Sequence, residues 1–367
     1  MGKKKIMCVV GTRPEAIKMA PVILALKKEP WAQVRVLATA QHRHMLDQVN
    51  QLFGIEPDID LDIMRPNQTL TTLTARLLLD LDDVLQAEKP DVVLVQGDTT
   101  TVMTVALASF YHHIPIGHVE AGLRTFDMQN PFPEEANRVL AGKLARWHFA
   151  PTEQSRQNLL KEGVADADIV VTGNTVIDAL LMTASREREL GLGLDPARPM
   201  VMVTAHRREN FGEPFRNICR ALRTLAQTNP GVQFLYPVHP NPNIKDVALA
   251  LLDGLPNVRL CQPLDYALFV AAMKRAHIIL TDSGGVQEEA PALGKPVLVL
   301  RDETERPEAV AEGVVKLVGP HEQRIVEEVQ RLLDDESSYR AMARGVSPYG
   351  DGQASMRIIK TLREHLA

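Results

Sequence analysis

Three carboxylates stand where acid–base chemistry could be carried out. Asp98 and Glu120 each follow a short apolar run, and Glu134 stands just before a segment of helical pattern. Glu134 and Arg138 are four residues apart, so they share one face of a helix and can form an ion pair. Taken singly, Asp98 is equally well explained as a helix cap, and Glu134 as an acidic residue that favours a helix N-terminus. Together they predict a group of side chains that transfers protons.

A second group of residues has the chemistry to hold phosphate. Arg13 and Lys18 lie in a loop between an apolar strand and a helical segment, with Pro14 suited to the first helical turn and Thr12 or Arg13 as the cap. The alternative is a solvated basic start to a surface helix. Cations at a helix N-terminus oppose the helix dipole, and the helix itself does not need them. We therefore predict that phosphate oxygens are their partners.

Ser283, Gly284 and Gly285 form a loop of the type that surrounds phosphate. Two glycines let the backbone approach a ligand closely, and the amide groups at the start of the next helix favour negative charge. Glu289, one turn further on, can accept hydrogen bonds from ribose hydroxyl groups. Taken alone, the loop is better explained as an ordinary helix start. His206, which follows another strand and precedes two arginines, adds a group suited to bind or neutralise a diphosphate.

The elements that must position these residues alternate between short apolar strands and longer helical segments. Strands such as residues 92–95 are apolar without alternation, which is typical of parallel strands covered by helices on both faces. We therefore predict an α/β protein with two Rossmann-like, doubly wound domains that face each other across a cleft. Residues 1–172 with 351–367 form the first domain, and residues 173–350 form the second. The candidate residues then lie at carboxyl ends of strands, where such sheets bind ligands.

The bulk composition excludes several classes of protein. The chain has 367 residues, a formal net charge of −5 and a pI near 6.1, so we expect no general affinity for nucleic acid or anionic membranes. Its three scattered cysteines indicate neither a disulfide framework nor a metal site. No apolar stretch approaches the roughly 20 residues that span a bilayer, so a cytoplasmic protein is expected. The sequence motifs of P-loop, dinucleotide-binding, zinc-protease and esterase sites are absent, so we expect neither a metal nor a nicotinamide cofactor.

With these residues in place, the chain resembles the non-hydrolysing UDP-N-acetylglucosamine 2-epimerases of bacteria over essentially its whole length. The likeness rests on five blocks in order: Gly11–Lys18, Gly97–Thr99, Gly117–Arg124, Pro133–Arg138 and Thr281–Glu289. It implies the paired Rossmann-like domains of the GT-B fold, with UDP held mainly by the second domain and the sugar and acid–base residues in the first. It also implies a homodimer, domain closure on binding, and a role in cell-envelope polysaccharide biosynthesis.

The resemblance also assigns roles to individual residues. The catalytic set it implies is Asp98, Glu120, Glu134, Arg138 and His206, and the substrate-binding set is Arg13, Lys18, Phe269, Ser283, Gly284, Gly285, Glu289 and Arg306. UDP-N-acetylglucosamine is implied both as the substrate and as an activator that binds at a neighbouring site.

The chemistry of such a reaction suits these residue types. Carbon 2 of an N-acetylhexosamine is not next to a carbonyl group, so its proton cannot be removed by simple enolisation. Oxidation at C3 would need a nicotinamide site. The remaining route expels UDP from C1, removes the C2 proton to give 2-acetamidoglucal, and adds UDP back after protonation of the other face. It requires cations on the diphosphate and bases on both faces of the sugar.

Three other functions remain open on the sequence alone. A hydrolysing relative would use the same residues and release N-acetylmannosamine and UDP. A GT-B glycosyltransferase shares the fold, but it needs an acceptor pocket and no base for C2. A nucleotide-sugar sensor without catalysis would leave three acidic groups without a purpose.

Overall fold

The apolar runs without alternation form the strands of two parallel sheets. The computed structural model describes residues 2–39 and 43–366, without the side chains of residues 43–47. The strands are β1 (Lys4–Val10), β2 (Ala32–Ala38), β3 (Ile59–Asp60), β4 (Val92–Gln96), β5 (Ile116–Val119), β6 (Trp147–Ala150), β7 (Ile169–Val171), β8 (Met200–Thr204), β9 (Gln233–Pro237), β10 (Val258–Cys261), β11 (Ile278–Thr281), β12 (Val297–Val299) and β13 (Val315–Leu317).

Helices connect these strands, as parallel pairing requires. They are α1 (Arg13–Leu26), α2 (Arg43–Phe53), α3 (Leu70–Glu88), α4 (Thr100–Tyr111), α5 (Glu134–Leu144), α6 (Glu153–Lys161), α7 (Thr175–Ala184), α8 (Glu213–Thr228), α9 (Pro242–Leu252), α10 (Tyr266–Arg275), α11 (Gly284–Ala292), α12 (Pro307–Ala311), α13 (Glu322–Asp334), α14 (Glu336–Met342) and α15 (Ala354–Leu366). No helix in the described ranges combines the length and the apolar character that a bilayer crossing requires.

The two sheets follow the same strand order, and the first has one additional strand, β7. In the first, the strand order is β3-β2-β1-β4-β5-β6-β7, and in the second it is β10-β9-β8-β11-β12-β13. The neighbouring strands pair in parallel. The strand order reverses between β1 and β4 and again between β8 and β11, and ligands bind at such reversal points in open α/β sheets. The predicted fold class, two Rossmann-like α/β domains, is therefore confirmed.

Helical periodicity explains how each sheet is covered. In α3, leucines recur every fourth residue at Leu73, Leu77, Leu81 and Leu85, and all four are buried. They pack in one apolar cluster with residues of β1 and β4. In the second unit, α8 buries one face against β8 and β9 in the same manner. Burial of these side chains is the main favourable term in forming each unit.

The chain divides into two units at different residues from those the sequence suggested. The first unit comprises Met1–Met182 and Tyr349–Ala367, and the second comprises Thr183–Pro348. The boundaries between the two units thus lie at 182/183 and 348/349, whereas the sequence suggested 172/173 and 350/351. The reason is α7, because the Asp178 carboxylate in that helix accepts hydrogen bonds from the backbone of Ala354 and Ser355 at 3.2 and 2.8 Å. These bonds join α7 to the chain terminus and hence to the first unit.

Candidate active site

The loop that follows β1 is organised by Glu15. Its carboxylate accepts hydrogen bonds from the backbone N–H groups of Gly11 and Thr12, at 2.6 and 2.7 Å, so Thr12 is the N-cap of α1. It also accepts a hydrogen bond of 2.5 Å from the Thr99 hydroxyl group, in the loop that follows β4. Burial raises the pKa of Glu15, and these hydrogen bonds oppose the shift. Glu15 therefore holds together the two loops on either side of the strand-order reversal.

Sequence reasoning did not include Glu15 among the site residues. The signal was present, because a threonine followed three residues later by glutamate is the capping-box pattern. What the pattern does not contain is the bond to Thr99, 84 residues further along the chain.

Glu120 lies directly after β5 and is held by four hydrogen bonds. Lys18 donates to both of its carboxylate oxygens at 2.6 and 2.8 Å, Asn174 donates to Oε1 at 2.9 Å, and Gln96 donates to Oε2. The backbone of Glu120 has a φ of 65°, in the left-handed region that costs a non-glycine residue about 1–3 kcal/mol. Such strain persists where the surroundings fix a side chain in place, and it is concentrated at functional sites.

Lys18 has a carboxylate partner in this structure. Its ammonium group contacts Glu120, and its predicted role as a cation for phosphate stays a prediction. Arg13 is the first residue of α1 and is half-buried, and its guanidinium group makes no hydrogen bond or ion pair with any residue that the structure describes. Arg13 is thus the more available cation of the two.

Asp98 and Arg138 form the second ion pair of this region. Arg138 Nη2 lies 3.2 Å from Asp98 Oδ2, and its Nε lies 3.3 Å from Glu135 Oε2. The predicted side-chain pair between Glu134 and Arg138 is wrong, because Arg138 contacts only the backbone carbonyl of Glu134, at 3.4 Å. The neighbouring Asn137 donates to the Asp98 carbonyl at 3.0 Å and fixes the loop that follows β4. Glu135 and Asn137 were not predicted as site residues.

The electrostatics of Asp98 show that the predicted acid–base residues of the first unit lie together. Burial raises the pKa of Asp98, and the cations Arg138 and Lys18 oppose that shift, whereas the carboxylates of Glu120 and Glu134 add to it. A carboxyl group whose pKa is raised can hold a proton at a higher pH than usual, which suits it to both accept and donate.

Asp282 organises the equivalent loops of the second unit. The residue follows β11 and is fully buried, and its Oδ2 accepts hydrogen bonds of 2.8 Å from the backbone N–H groups of both His206 and Arg207. The exposed imidazole of His206 stacks on that of His239, with ring centroids 5.8 Å apart and planes at 11°. Partial burial lowers the pKa of His206, Asp282 opposes the shift, and His239 and Arg207 add to it.

The Ser283 loop has the form of an anion site at a helix start. Ser283 is the N-cap of α11, and its side chain makes no capping hydrogen bond. Gly284 and Gly285 occupy the first turn, where the helix supplies no partner for the N–H groups. An ordinary helix start, the alternative explanation of this sequence, fits Ser283 as the N-cap, so the phosphate site stays a prediction. The Ser283 hydroxyl and the amides of the first turn are groups that can bind an anion at a helix N-terminus.

The remaining predicted nucleotide-binding residues are Glu289 in α11, Phe269 in α10 and Arg306 before α12. The Tyr266 hydroxyl donates to Glu289 Oε2 at 2.9 Å, and Arg306 Nε donates to Glu288. Phe269 lies half-buried on α10, one turn beyond Tyr266. These bonds join Glu289 to α10 and Arg306 to α11.

Comparison with known proteins identifies the family. The family model described as UDP-N-acetylglucosamine 2-epimerase matches residues 24–363.

The chain belongs to the UDP-N-acetylglucosamine 2-epimerase family.

The chain is similar to the UDP-N-acetylglucosamine 2-epimerase of Escherichia coli K12, with 57% identity over 98% of this chain and 99% of the relative. It is also similar to a solved structure, the epimerase of Neisseria meningitidis bound to UDP-GlcNAc, with 50% identity, a TM-score of 0.87, and coverage of 98% of this chain and 100% of that one. The epimerase of Methanocaldococcus jannaschii in complex with UDP-GlcNAc and UDP matches with 34% identity, a TM-score of 0.79, and coverage of 98% and 99%.

Membership of the UDP-N-acetylglucosamine 2-epimerase family confirms the predicted family and the predicted class of enzyme, since an epimerase is an isomerase. The fold alone is also similar to that of the glycotransferase of kitacinnamycin, with 13% identity and a TM-score of 0.67. Within residues 2–39 and 43–366, no group of three histidine, cysteine or acidic side chains is placed to hold a metal ion.

Proposed function

We propose that this protein interconverts UDP-N-acetylglucosamine and UDP-N-acetylmannosamine without net hydrolysis. The observation that carries the proposal is the cluster in the first unit, where the carboxylates of Glu120 and Glu134 help to raise the pKa of Asp98, Lys18 pairs with Glu120, and Arg138 pairs with Asp98. Relatives with this fold bind UDP-GlcNAc, which supports the same substrate here. A sensor would not need three carboxylates at one point, since buried charges are costly to maintain.

The reaction that we assign to the site has two balanced halves. In the first, the C1–O bond breaks, the electron pair leaves with the β-phosphate oxygen of UDP, and the C2 proton passes to a carboxylate as the C1=C2 bond of 2-acetamidoglucal forms. In the second, a proton is delivered to the other face of C2, and the phosphate oxygen of UDP adds back to C1. No oxidant or reductant is consumed.

Asp98 is the best supported of the proton-transfer groups. Burial raises the pKa of Asp98 towards neutral pH, and the ion pair with Arg138 holds the Asp98 carboxylate in one orientation. Glu134 stands at the start of α5, and its carboxylate makes no hydrogen bond or ion pair with a described residue, so it is available to a ligand. Glu120 is fixed by hydrogen bonds from Lys18, Asn174 and Gln96, and we assign it to the remaining transfer on the sugar.

The leaving diphosphate requires positive charge and hydrogen-bond donors. We assign it to His206 and the loop of Ser283, Gly284 and Gly285, whose amides stabilise an anion at the start of α11. Arg13 of the first unit stays a predicted substrate-binding cation. Lys18 then acts through its bond to Glu120 as well as through its charge. The uridine part is assigned to the residues around α11, Phe269, Glu289 and Arg306.

Product analysis separates this function from the hydrolysing alternative. Wild-type protein is incubated with UDP-N-acetylglucosamine, and free UDP, free sugar and both UDP-sugars are quantified over time by anion-exchange chromatography and NMR. We expect the two UDP-sugars to approach a fixed ratio from either direction while their sum stays constant. Accumulation of UDP with N-acetylmannosamine would show the hydrolysing reaction instead.

We also propose a homodimer whose contact surface includes α3 and α4. These neighbouring helices expose Leu79, Phe110 and Tyr111, with 71%, 55% and 65% of their surface accessible, and such a concentration is typical of an interface. Sedimentation equilibrium should give twice the mass of the chain, and a double Leu79→Asp, Tyr111→Asp variant should sediment as a monomer. A monomeric wild type at micromolar concentration would exclude the dimer.

Activation by the substrate is a further part of this proposal. If UDP-N-acetylglucosamine binds a second site, the initial rate should rise more steeply than hyperbolically with its concentration. In addition, the reverse reaction, which starts from UDP-N-acetylmannosamine, should be slow until some UDP-N-acetylglucosamine has formed. A hyperbolic rate curve and a reverse reaction without a lag would exclude the activator.

A further inference from the structure

The second unit contains a buried carboxylate oxygen that accepts no hydrogen bond within the described part of the chain. Asp282 is completely buried, and Oδ2 accepts three hydrogen bonds, from the backbone N–H groups of His206 and Arg207 and from Asn210 Nδ2 at 3.1 Å. Oδ1 of the same carboxylate is buried and accepts no hydrogen bond from any residue that the structure describes. Leaving a buried carboxylate oxygen without a donor is costly, so its surroundings require an explanation.

The group that faces this oxygen is the imidazole of His206. Its Nδ1 lies 3.6 Å from Asp282 Oδ1, slightly beyond hydrogen-bond length. Because the three bonds to Oδ2 hold the carboxylate, a small rotation of the exposed imidazole is sufficient to close the gap. The ring also stacks on that of His239. The arrangement is a buried acid behind an exposed histidine.

We propose that Asp282 is a positioning residue that receives the Nδ1–H of His206 and thereby presents Nε2 to the ligand. This inference rests on the proposed function, in which His206 acts on the leaving diphosphate. With Nδ1 bonded to the carboxylate, Nε2 is the nitrogen that takes up a proton and donates it in a hydrogen bond to a phosphate oxygen. The carboxylate also stabilises the imidazolium form, because its charge opposes the effects of burial, His239 and Arg207 on that ring.

The alternative is that Asp282 only fastens the loop that follows β8. Asp282→Asn distinguishes the two. The single oxygen of asparagine must face the three donors that now bond to Oδ2, since an NH2 group there would meet only other donors. Its NH2 group is then placed opposite His206 Nδ1 and donates to it. The loop is kept, whereas the protonated nitrogen of neutral His206 changes from Nδ1 to Nε2.

The test is ¹⁵N NMR of the full-length protein labelled at histidine, with the His206 signals assigned by their loss in His206→Gln. In the wild type, at a pH where the ring is neutral, we expect Nδ1 to carry the proton. In Asp282→Asn we expect Nε2 to carry it, the pKa of His206 to fall, and kcat to decrease on the order of 10²-fold. UDP affinity should change far less than kcat.

Asn210→Ala is the matched control, because it removes one donor from the same carboxylate without altering the atom that faces His206. It should lower the thermal stability and leave the protonation site on Nδ1. A wild-type ring protonated on Nε2 overturns the proposal even if Asp282→Asn fails to fold, and so does an unchanged protonation site in Asp282→Asn. If the wild type shows no epimerisation, the proposed function fails, whereas the NMR result still decides whether the two residues form this pair.

Discussion

Glu120→Gln replaces a carboxylate whose two oxygens are both hydrogen-bond acceptors. Oε1 accepts from Lys18 and Asn174, and Oε2 accepts from Lys18 and Gln96. The glutamine amide therefore has no orientation that satisfies its surroundings, because its NH2 group always faces two donors. The change removes a candidate proton-transfer group while keeping its size and position.

The structure sets the scale of the two effects that we expect. A buried amide donor left without an acceptor costs about 1–3 kcal/mol, and Lys18 is accessible enough for water to replace part of its bond, so unit 1 should lose stability in that range. Loss of a proton-transfer group lowers kcat by roughly 10²–10⁴-fold, equal to about 3–5 kcal/mol of activation free energy. UDP affinity should be nearly unchanged, since we assign the nucleotide to the second unit.

The assay compares kcat, KM and UDP affinity of the variant with those of the wild type, using NMR of the UDP-sugars and calorimetry. Glu162→Gln is the matched control, because Glu162 pairs with Arg124 at 2.6 Å in the same unit and has no assigned part in the reaction. It should lose stability to a similar extent but keep its kcat. A Glu120→Gln protein that is folded and turns over at close to the wild-type rate would refute the role of Glu120.

Three further variants test the geometry of the first unit. Arg138→Gln removes a cation that lowers the pKa of Asp98 and so opposes the effect of burial. The limb of the pH–kcat profile that requires ionised Asp98 should therefore move to higher pH. A movement to lower pH would contradict the assignment. Glu15→Ala should lower the free energy of unfolding, measured by urea titration, by about 2–4 kcal/mol, because it removes the helix cap and leaves a buried N–H group unpaired. An unchanged urea midpoint would count against the role of Glu15 in holding the two loops. Gly122→Ala places a side chain at a φ of 89° against the carbonyl oxygen of Ser155, with a backbone cost of about 1–3 kcal/mol, and a wild-type melting temperature would show that the loop tolerates it.

The fold could be predicted because its signals are local. The apolar run at residues 92–95 and the four-residue spacing of leucines from Leu73 to Leu85 each specify an element within one short window. Because parallel strands end at a common edge, the position of Asp98 and Glu120 after neighbouring strands was enough to bring them together.

The details of the site depended on contacts that no short window contains. Arg138 pairs with Asp98, 40 residues away in sequence, although Glu134 lies within reach on its own helix. Likewise, the unit boundary follows from bonds between Asp178 and residues about 177 positions further along. Spacing along the chain predicts which partners are possible, and only tertiary packing selects among them.

The transfer of hydrogen at C2 tests the central claim most directly. Wild-type protein is incubated with UDP-N-acetylglucosamine in D₂O, and C2 is followed by NMR. We predict that deuterium enters C2 of the UDP-N-acetylmannosamine formed and of the recovered UDP-N-acetylglucosamine, with both sugars still joined to UDP. If the product keeps its original hydrogen at C2, a carboxylate of the site does not exchange that proton with solvent, and the proposed proton transfers are contradicted.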